Sequence, residues 1–237
     1  MPNVADPAAP LPTALITGAG GGLGQAIATA LAPTHKLLLT GRNPALLGEL
    51  AQRLGAVTLA LDIQNIEAIP TAVASVTGLD VLIHNAGVAF PAELAESTVG
   101  EWRTTFDVNV IGAVALTQAL LPVLRASRGQ VVFVNSGAGL KVLDGMASYS
   151  ASKFALRAFA ESLREEEPAL RVTSVHPGRI DTAMQRALVA FEGGDYDPAA
   201  HLRPETVAQV IADVVLTPPD AHIHQVIVRP TRARRPD

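Results

Sequence analysis

The chain reads as one doubly wound α/β domain built on about seven parallel strands. Short uninterrupted apolar runs, stretches of helical apolar spacing between them, and a glycine-rich turn straight after the first run carry that expectation. A strand covered by helices on both faces shows no side to water, so it is apolar throughout rather than alternating. Right-handed crossovers through the intervening helices then join parallel neighbours.

The first run is Ala14-Leu15-Ile16, and further strand candidates are 37–39, 57–61, 81–83, 131–134, 172–175 and 223–228. Between them the spacing predicts helices over 24–32, 44–54, 66–76, 99–125, 150–166 and 204–216, with Pro168 lying where the fifth must already have stopped. Residues 1–12 contain Pro2, Pro7, Pro10 and Pro12 and no basic residue, which suits a flexible lead-in. The domain proper is expected over 13–229. Arg229, with Arg232, Arg234 and Arg235 in a flexible Arg/Pro tail over 230–237, concentrates positive charge, either solvated or open to an anion or partner.

With 237 residues, 49% hydrophobic and 17% charged, the chain fits one large domain with one substantial core. A net charge of −4 gives no electrostatic reason to expect nucleic acid or an anionic membrane as partner, which leaves small molecules. The lack of cysteine excludes disulfides, thiol catalysis, iron–sulfur clusters and thiolate zinc sites. No uninterrupted apolar run approaches the ~18 residues of a bilayer span and no signal-peptide pattern opens the chain, so the expected location is cytoplasmic. Neither Asp195, Asp197 and His201 nor His222 and His224 form a recognised ligand pattern, and no metal is expected.

Thr17-Gly18-Ala19-Gly20-Gly21-Gly22-Leu23-Gly24 follows the first strand and opens the first helix. Glycines let a ligand approach the backbone, and a helix N-terminus offers unpaired amides and partial positive charge, so a diphosphate belongs there. No Gly-Lys-Ser/Thr follows, which removes the phosphate-loop NTPase reading. About 20 residues beyond such a turn, dinucleotide sites place an acid on the ribose for NAD or an arginine for the 2′-phosphate of NADP. Arg42, in Gly41-Arg42-Asn43, occupies that place, and no acid occurs between Asp6 and Glu49. The expected cofactor is NADP(H) over NAD(H), unless Arg42 is an ordinary solvated loop residue.

Tyr149 and Lys153 stand four apart, which on a helix puts phenol and ammonium on one face. With two tyrosines and three lysines in the chain, chance supplies such a pair only about 0.03 times, so the pair reads as an acid/base couple.

Together, Thr17-Gly-x-x-x-Gly22-x-Gly24, Asn85-Ala86-Gly87, Asn109, Ser136 thirteen residues before Tyr149, Tyr149-x-x-x-Lys153 and Pro177-Gly178 resemble the classical short-chain dehydrogenases/reductases. The resemblance covers nearly the whole chain and implies a Rossmann-type domain. It implies that Tyr149 is the general acid/base, that Lys153 binds the nicotinamide ribose and lowers the tyrosine's pKa, and that Ser136 donates to the substrate oxygen. Ser136 alternatively caps its own turn. By the same resemblance Asn109 holds a relay water, its alternative being a structural amide. Asn85, Ala86 and Gly87 would lie against the adenine-side ribose. Asp62 would meet the adenine amino group or simply end its strand, and Ile180 and Thr182 would face the nicotinamide amide and phosphates.

Residues 183–203 carry Met184, Leu188 and Phe191, enough apolar surface for a lid over substrate, while Leu140, Val142 and Met146 supply another wall; local packing is the alternative for all six. Ser136 is not in Gly-x-Ser-x-Gly, since Val134 and Ala138 take the glycine positions, which disfavours a hydrolase. The expectation is an NADP(H)-dependent oxidoreductase interconverting a ketone or aldehyde with an alcohol. The alternatives are an NADPH-binding regulatory or scaffold protein with little turnover, and sugar-nucleotide epimerase chemistry, for which too few residues follow Gly178. Apolar stripes on the long helices, and the resemblance, point to a homodimer or homotetramer.

Overall fold

The structure, a computed structural model, describes residues 10–231. The lead-in expected over 1–12 therefore falls outside the described residues except for 10–12, and of the 230–237 tail only 230 and 231 are described. Seven strands, β1 (Thr13–Ile16), β2 (Lys36–Gly41), β3 (Val57–Ala60), β4 (Val81–His84), β5 (Gln130–Val134), β6 (Arg171–Pro177) and β7 (Gln225–Val228), form one sheet in the order β3-β2-β1-β4-β5-β6-β7. Every pairing is parallel. This is the single doubly wound domain that the apolar runs predict.

Because successive side chains of a strand point to opposite faces, each continuous apolar run feeds two cores. Leu15, Leu82, Val131, Phe133 and Val172 pack on one face with Leu116, Leu120, Leu156 and Leu163. Ile16, Leu39, Ile83, Val132 and Val175 pack on the other with Ile27, Leu31, Leu47, Val207 and Ile211. The helices that cover the second face are α1 (Gly22–Leu31), α2 (Pro44–Leu54) and α8 (Pro204–Val215). Asn43 caps α2 by accepting from the amides of Ala45 and Leu46, which stops β2 and starts the helix just past Arg42.

The expected 66–76 helix shrinks to one 3₁₀ turn and the single-turn α3 (Ile69–Ala72). The expected 99–125 helix is continuous over Val99–Ser127 but passes from α4 (Val99–Phe106) to α5 (Gly112–Ser127) through a π turn, Asp107–Ile111. By length and composition alone this helix is apolar enough to cross a membrane, a feature that a search for uninterrupted apolar runs passes over. Its apolar face is accounted for by the core, where Val108, Ala113, Leu116, Leu120 and Leu124 are buried.

The helix that carries Tyr149 and Lys153, α6 (Ala147–Glu166), begins three residues ahead of the expected start. Within the 183–203 segment lies α7 (Ala183–Phe191), capped by the Thr182 hydroxyl accepting from the Gln185 amide at 3.3 Å. The segment is anchored by a bridge between Ile180 and Leu202 and by ion pairs of Arg179 with Glu192 and of Arg186 with Asp181. The strand order turns in opposite directions from β1, to β2 on one side and β4 on the other, and a crevice therefore opens at the carboxyl ends of these strands.

Candidate functional site

The crevice is a cavity of about 660 Å³ running from the glycine-rich turn to the start of α6. At the β1 end the turn is held by backbone and side-chain contacts. The Thr17 hydroxyl donates to the Ile83 carbonyl and accepts from the amides of Asn85 and Ala86, both at 3.0 Å. Asn85 returns the contact, its Nδ2 donating to the Thr17 carbonyl at 3.0 Å and the Gly18 carbonyl at 3.1 Å. Gly18 has φ +63°, and a Cβ there would lie 2.8 Å from Ala86 Cα. A Cβ on Gly24 would lie 2.2 Å from the Gly18 carbonyl oxygen. Both positions exclude any larger residue, because the obstructing atoms are backbone.

Across this turn α1 starts with no side-chain cap and no acid in its first turn, which leaves its amides and positive dipole end for an anion. Gly20 and Gly22 line the cavity with open space where a side chain would stand, the nearest atom to a Cβ on Gly22 being Thr182 Cγ2 at 3.8 Å. Leu23, Ala86 and Gly87 complete this wall. Arg42, exposed just past β2, and Asp62, just past β3, stand on the same rim. Asp62 accepts from the Gln64 amide at 3.1 Å, and Arg42 forms no ion pair among the described residues.

At the other end Ser136, Tyr149 and Lys153 line the cavity together. Ser136 lies two residues past β5 and caps the turn Gly137–Gly139, accepting from the Ala138 amide at 3.1 Å. Lys153 is 3% exposed, and its Nζ donates to the Val134 carbonyl at 3.1 Å and lies 5.6 Å from the centre of the Tyr149 ring. Burial brings the ammonium down to about 8. Burial also pushes the Tyr149 phenol above its ordinary value, with a hydrogen bond from Ser136 acting in the opposite direction. The lowering of the phenol expected from Lys153 does not appear, since desolvation penalises the charged form of each group.

Asn109 does not line the cavity. The π turn points its amide inward, where Oδ1 accepts from the Val88 amide at 2.8 Å and Nδ2 donates to the Val88 carbonyl at 2.9 Å and to Ser152 Oγ at 3.0 Å. The Ser152 hydroxyl donates to the Tyr149 carbonyl at 2.7 Å, so Asn109 ties the loop after β4 to the first turn of α6. A Cβ on Gly87 would stand 3.3 Å from Asn109 Oδ1 and 3.8 Å from Lys153 Nζ, which sets Asn109 directly behind the lysine.

Pro177, Gly178, Ile180 and Thr182 line the cavity, as do Met146, Met184 and Leu188. Leu140, Val142 and Phe191 do not: Val142 is 68% exposed, and Phe191 packs over Gly145. Further residues reach the cavity, and three of them are cations that the sequence analysis did not place there, Lys141, Arg179 and Arg229. Asn135 is another that spacing passes over, with its Nδ2 donating to the Lys153 carbonyl at 3.2 Å and its Oδ1 accepting from the Ser136 amide at 2.9 Å. A polar residue ending an otherwise apolar strand was the available signal for it. Among the described residues no three His, Asp or Glu side chains gather as a metal site.

The short chain dehydrogenase family model matches residues 12–193. An uncharacterized oxidoreductase of Staphylococcus epidermidis is 31% identical over 227 residues, which are 92% of this chain and 96% of that protein. One of Staphylococcus aureus is 32% identical over 230 residues, with the same coverage, 92% and 96%. Among solved structures, the alcohol dehydrogenase of the archaeon Thermococcus sibiricus complexed with 5-hydroxy-NADP superposes with a TM-score of 0.85 at 26% identity, covering 96% of this chain and 100% of that one. The closed form of a serine dehydrogenase complexed with NADP+ superposes at 0.83 with 28% identity, covering 91% and 94%. The chain belongs to the short-chain dehydrogenase/reductase family, a family of oxidoreductases acting on CH–OH and C=O groups.

Proposed function

We propose that the protein is an NADP(H)-dependent oxidoreductase that interconverts a ketone or aldehyde with an alcohol, with Tyr149 as general acid/base. The observation that carries this reading is the convergence of an uncapped, glycine-lined helix N-terminus and the Ser136, Tyr149 and Lys153 side chains on one cavity. The fit to a dinucleotide is supported by the open glycine wall and by the exposed Arg42 guanidinium on the adenine-side rim, where a 2′-phosphate would gain a charge-assisted contact. The cofactors bound in the two superposed dehydrogenases, 5-hydroxy-NADP and NADP+, favour the same choice.

Bound NADP(H) would supply the hydride. The remaining work falls to the chain's own side chains. Tyr149, held protonated by burial, delivers its proton to the carbonyl oxygen during reduction. Ser136 donates to the same oxygen and steadies the negative charge that develops on it. Lys153 sits between the tyrosine and the Val134 carbonyl, placed to bind ribose hydroxyls and, when charged, to favour the phenolate left behind. Asn109 acts behind it by fixing the Val88 loop to α6. An NADPH pool kept largely reduced would drive the carbonyl toward the alcohol, so reduction is the assigned direction. We extend the reading to a homo-oligomer, supported by the exposed apolar Ile111 and Phe154 on the outer helices.

A spectrophotometric screen of aldehydes and ketones against NADPH tests the reading. Carbonyl-dependent NADPH oxidation is the expected result; a protein that binds NADPH but turns over no carbonyl would favour the regulatory alternative.

A further inference from the structure

The cavity wall is electrostatically lopsided. Among the described residues, Arg42, Lys141, Lys153, Arg179 and Arg229 line it, against Asp62 as the only carboxylate. Arg42 and Asp62 belong to the adenine-side rim, while the other four cations follow β5, β6 and β7 at the reacting end. Arg179 is neutralised by Glu192, and Lys153 has its place beside Tyr149. Lys141 and Arg229 remain, with no ion pair among the described residues.

Both residues border the turn that carries Ser136. The Lys141 backbone amide donates to the Gly137 carbonyl at 3.1 Å, and the residue lines the cavity. Arg229 Nη1 donates to the carbonyls of His176 at 2.7 Å and Val228 at 3.1 Å, so the guanidinium is oriented by neutral acceptors and its charge is left uncompensated. Its Nη2 lies 3.2 Å from where a Cβ on Gly137 would stand. The positive charges of Arg229, Lys153 and Arg157 help burial hold nearby His176 below its usual range, so no histidine charge is added there. A carbonyl held at Ser136 and Tyr149 would thus carry its neighbouring substituent toward these two exposed cations, in a wall otherwise apolar at Met146 and Leu188.

We propose that Lys141 and Arg229 select a carbonyl substrate bearing a carboxylate, an oxo acid rather than a neutral ketone. This rests on the oxidoreductase reading above and adds the substrate class to it. The test is kcat/KM, with saturating NADPH, for pyruvate, acetoacetate and levulinate beside their methyl esters, in the wild type, Lys141→Met, Arg229→Met and the charge-retaining Arg229→Lys. For the best-used pair the acid is expected to exceed its ester by about ten- to a hundred-fold. That ratio should fall toward one in the two Met variants and lie between in Arg229→Lys. An ester used as well as its acid by the wild type, or a ratio unmoved in both Met variants, overturns the proposal. If NADPH binds and no carbonyl is turned over, it is the oxidoreductase reading that fails. Calorimetric titration of the same acids and esters into the NADP+-loaded protein then decides the substrate class. Acid binding that the Met variants weaken sustains the proposal, and equal or absent acid binding overturns it.

Discussion

The two ends of the cavity are built on opposite terms. At the β1 end geometry is fixed by backbone packing: Thr17, Asn85 and two glycines lock the turn and leave the α1 amides open. At the α6 end burial disfavours the charged forms of the groups proposed to react, with Tyr149 pushed up and Lys153 pulled down to about 8, and it lowers His176 beside them. The first arrangement stabilises the fold while it makes room for a ligand. The second costs stability, because Lys153 is charged and buried at neutral pH. Substitutions at one end should therefore damage structure and binding together, and at the other they should separate activity from stability.

The largest effect is expected at Tyr149. Tyr149→Phe keeps the ring and removes only the hydroxyl, so kcat should drop about a hundred- to ten-thousand-fold. Thermal unfolding and NADPH affinity should stay close to wild type. A matching loss of NADPH binding would show that the two ends are not separable in this way.

Gly24→Ala should do the reverse. Its Cβ would lie 2.2 Å from the Gly18 carbonyl oxygen and 2.8 Å from Ala19 Cα, neither of which can swing aside. Chemical denaturation should show a loss of about 3 kcal/mol, with NADPH affinity falling alongside it. Unchanged stability would mean that the turn is more pliant than its packing indicates.

Lys153→Met sharpens the contrast from the catalytic side. Burial lowers the lysine from 10.5 to about 8, a charged-state cost of about 3 kcal/mol. The cost is fully present below pH 8 and is relieved as the pH rises from there toward 10.5, since over that window the unfolded chain holds the proton that the folded one has shed. The Met variant should be inactive yet more stable than wild type by about 2 kcal/mol at neutral pH, the remainder offset by the hydrogen bond lost to Val134. That margin should shrink across the same window. Denaturation at pH 7 and pH 10 measures it, and a variant less stable at both would contradict a strained catalytic end.

Legibility in the sequence follows the same division. The seven strands could be read because a strand buried on both faces leaves a continuous apolar run, and Ile16 and Leu15 serving opposite cores is the direct outcome. The glycine-rich turn could be read because close backbone approach admits no other residue type. The start of α6 was missed by three residues because no side chain caps it. The π turn at Asn109 leaves no mark in apolar spacing, since one widened turn keeps both flanking stripes facing the core. Lys141 and Arg229 were illegible for a different reason. Lys141 falls between two residues, Leu140 and Val142, that looked better suited to a wall, and Arg229 looked like the start of a charged tail. Only the sheet brings the end of β7 beside the turn after β5, through β6.

The measurement that tests the account most directly is a fluorescence titration of the protein and its Arg42→Asp variant with NADPH and with NADH at fixed ionic strength. The account predicts NADPH bound about ten- to a hundred-fold more tightly than NADH by the wild type, and that preference lost in the variant. Equal affinities in the wild type would contradict the role given to Arg42, and binding of neither nucleotide would contradict the central claim that this cavity is a dinucleotide site with a reacting end.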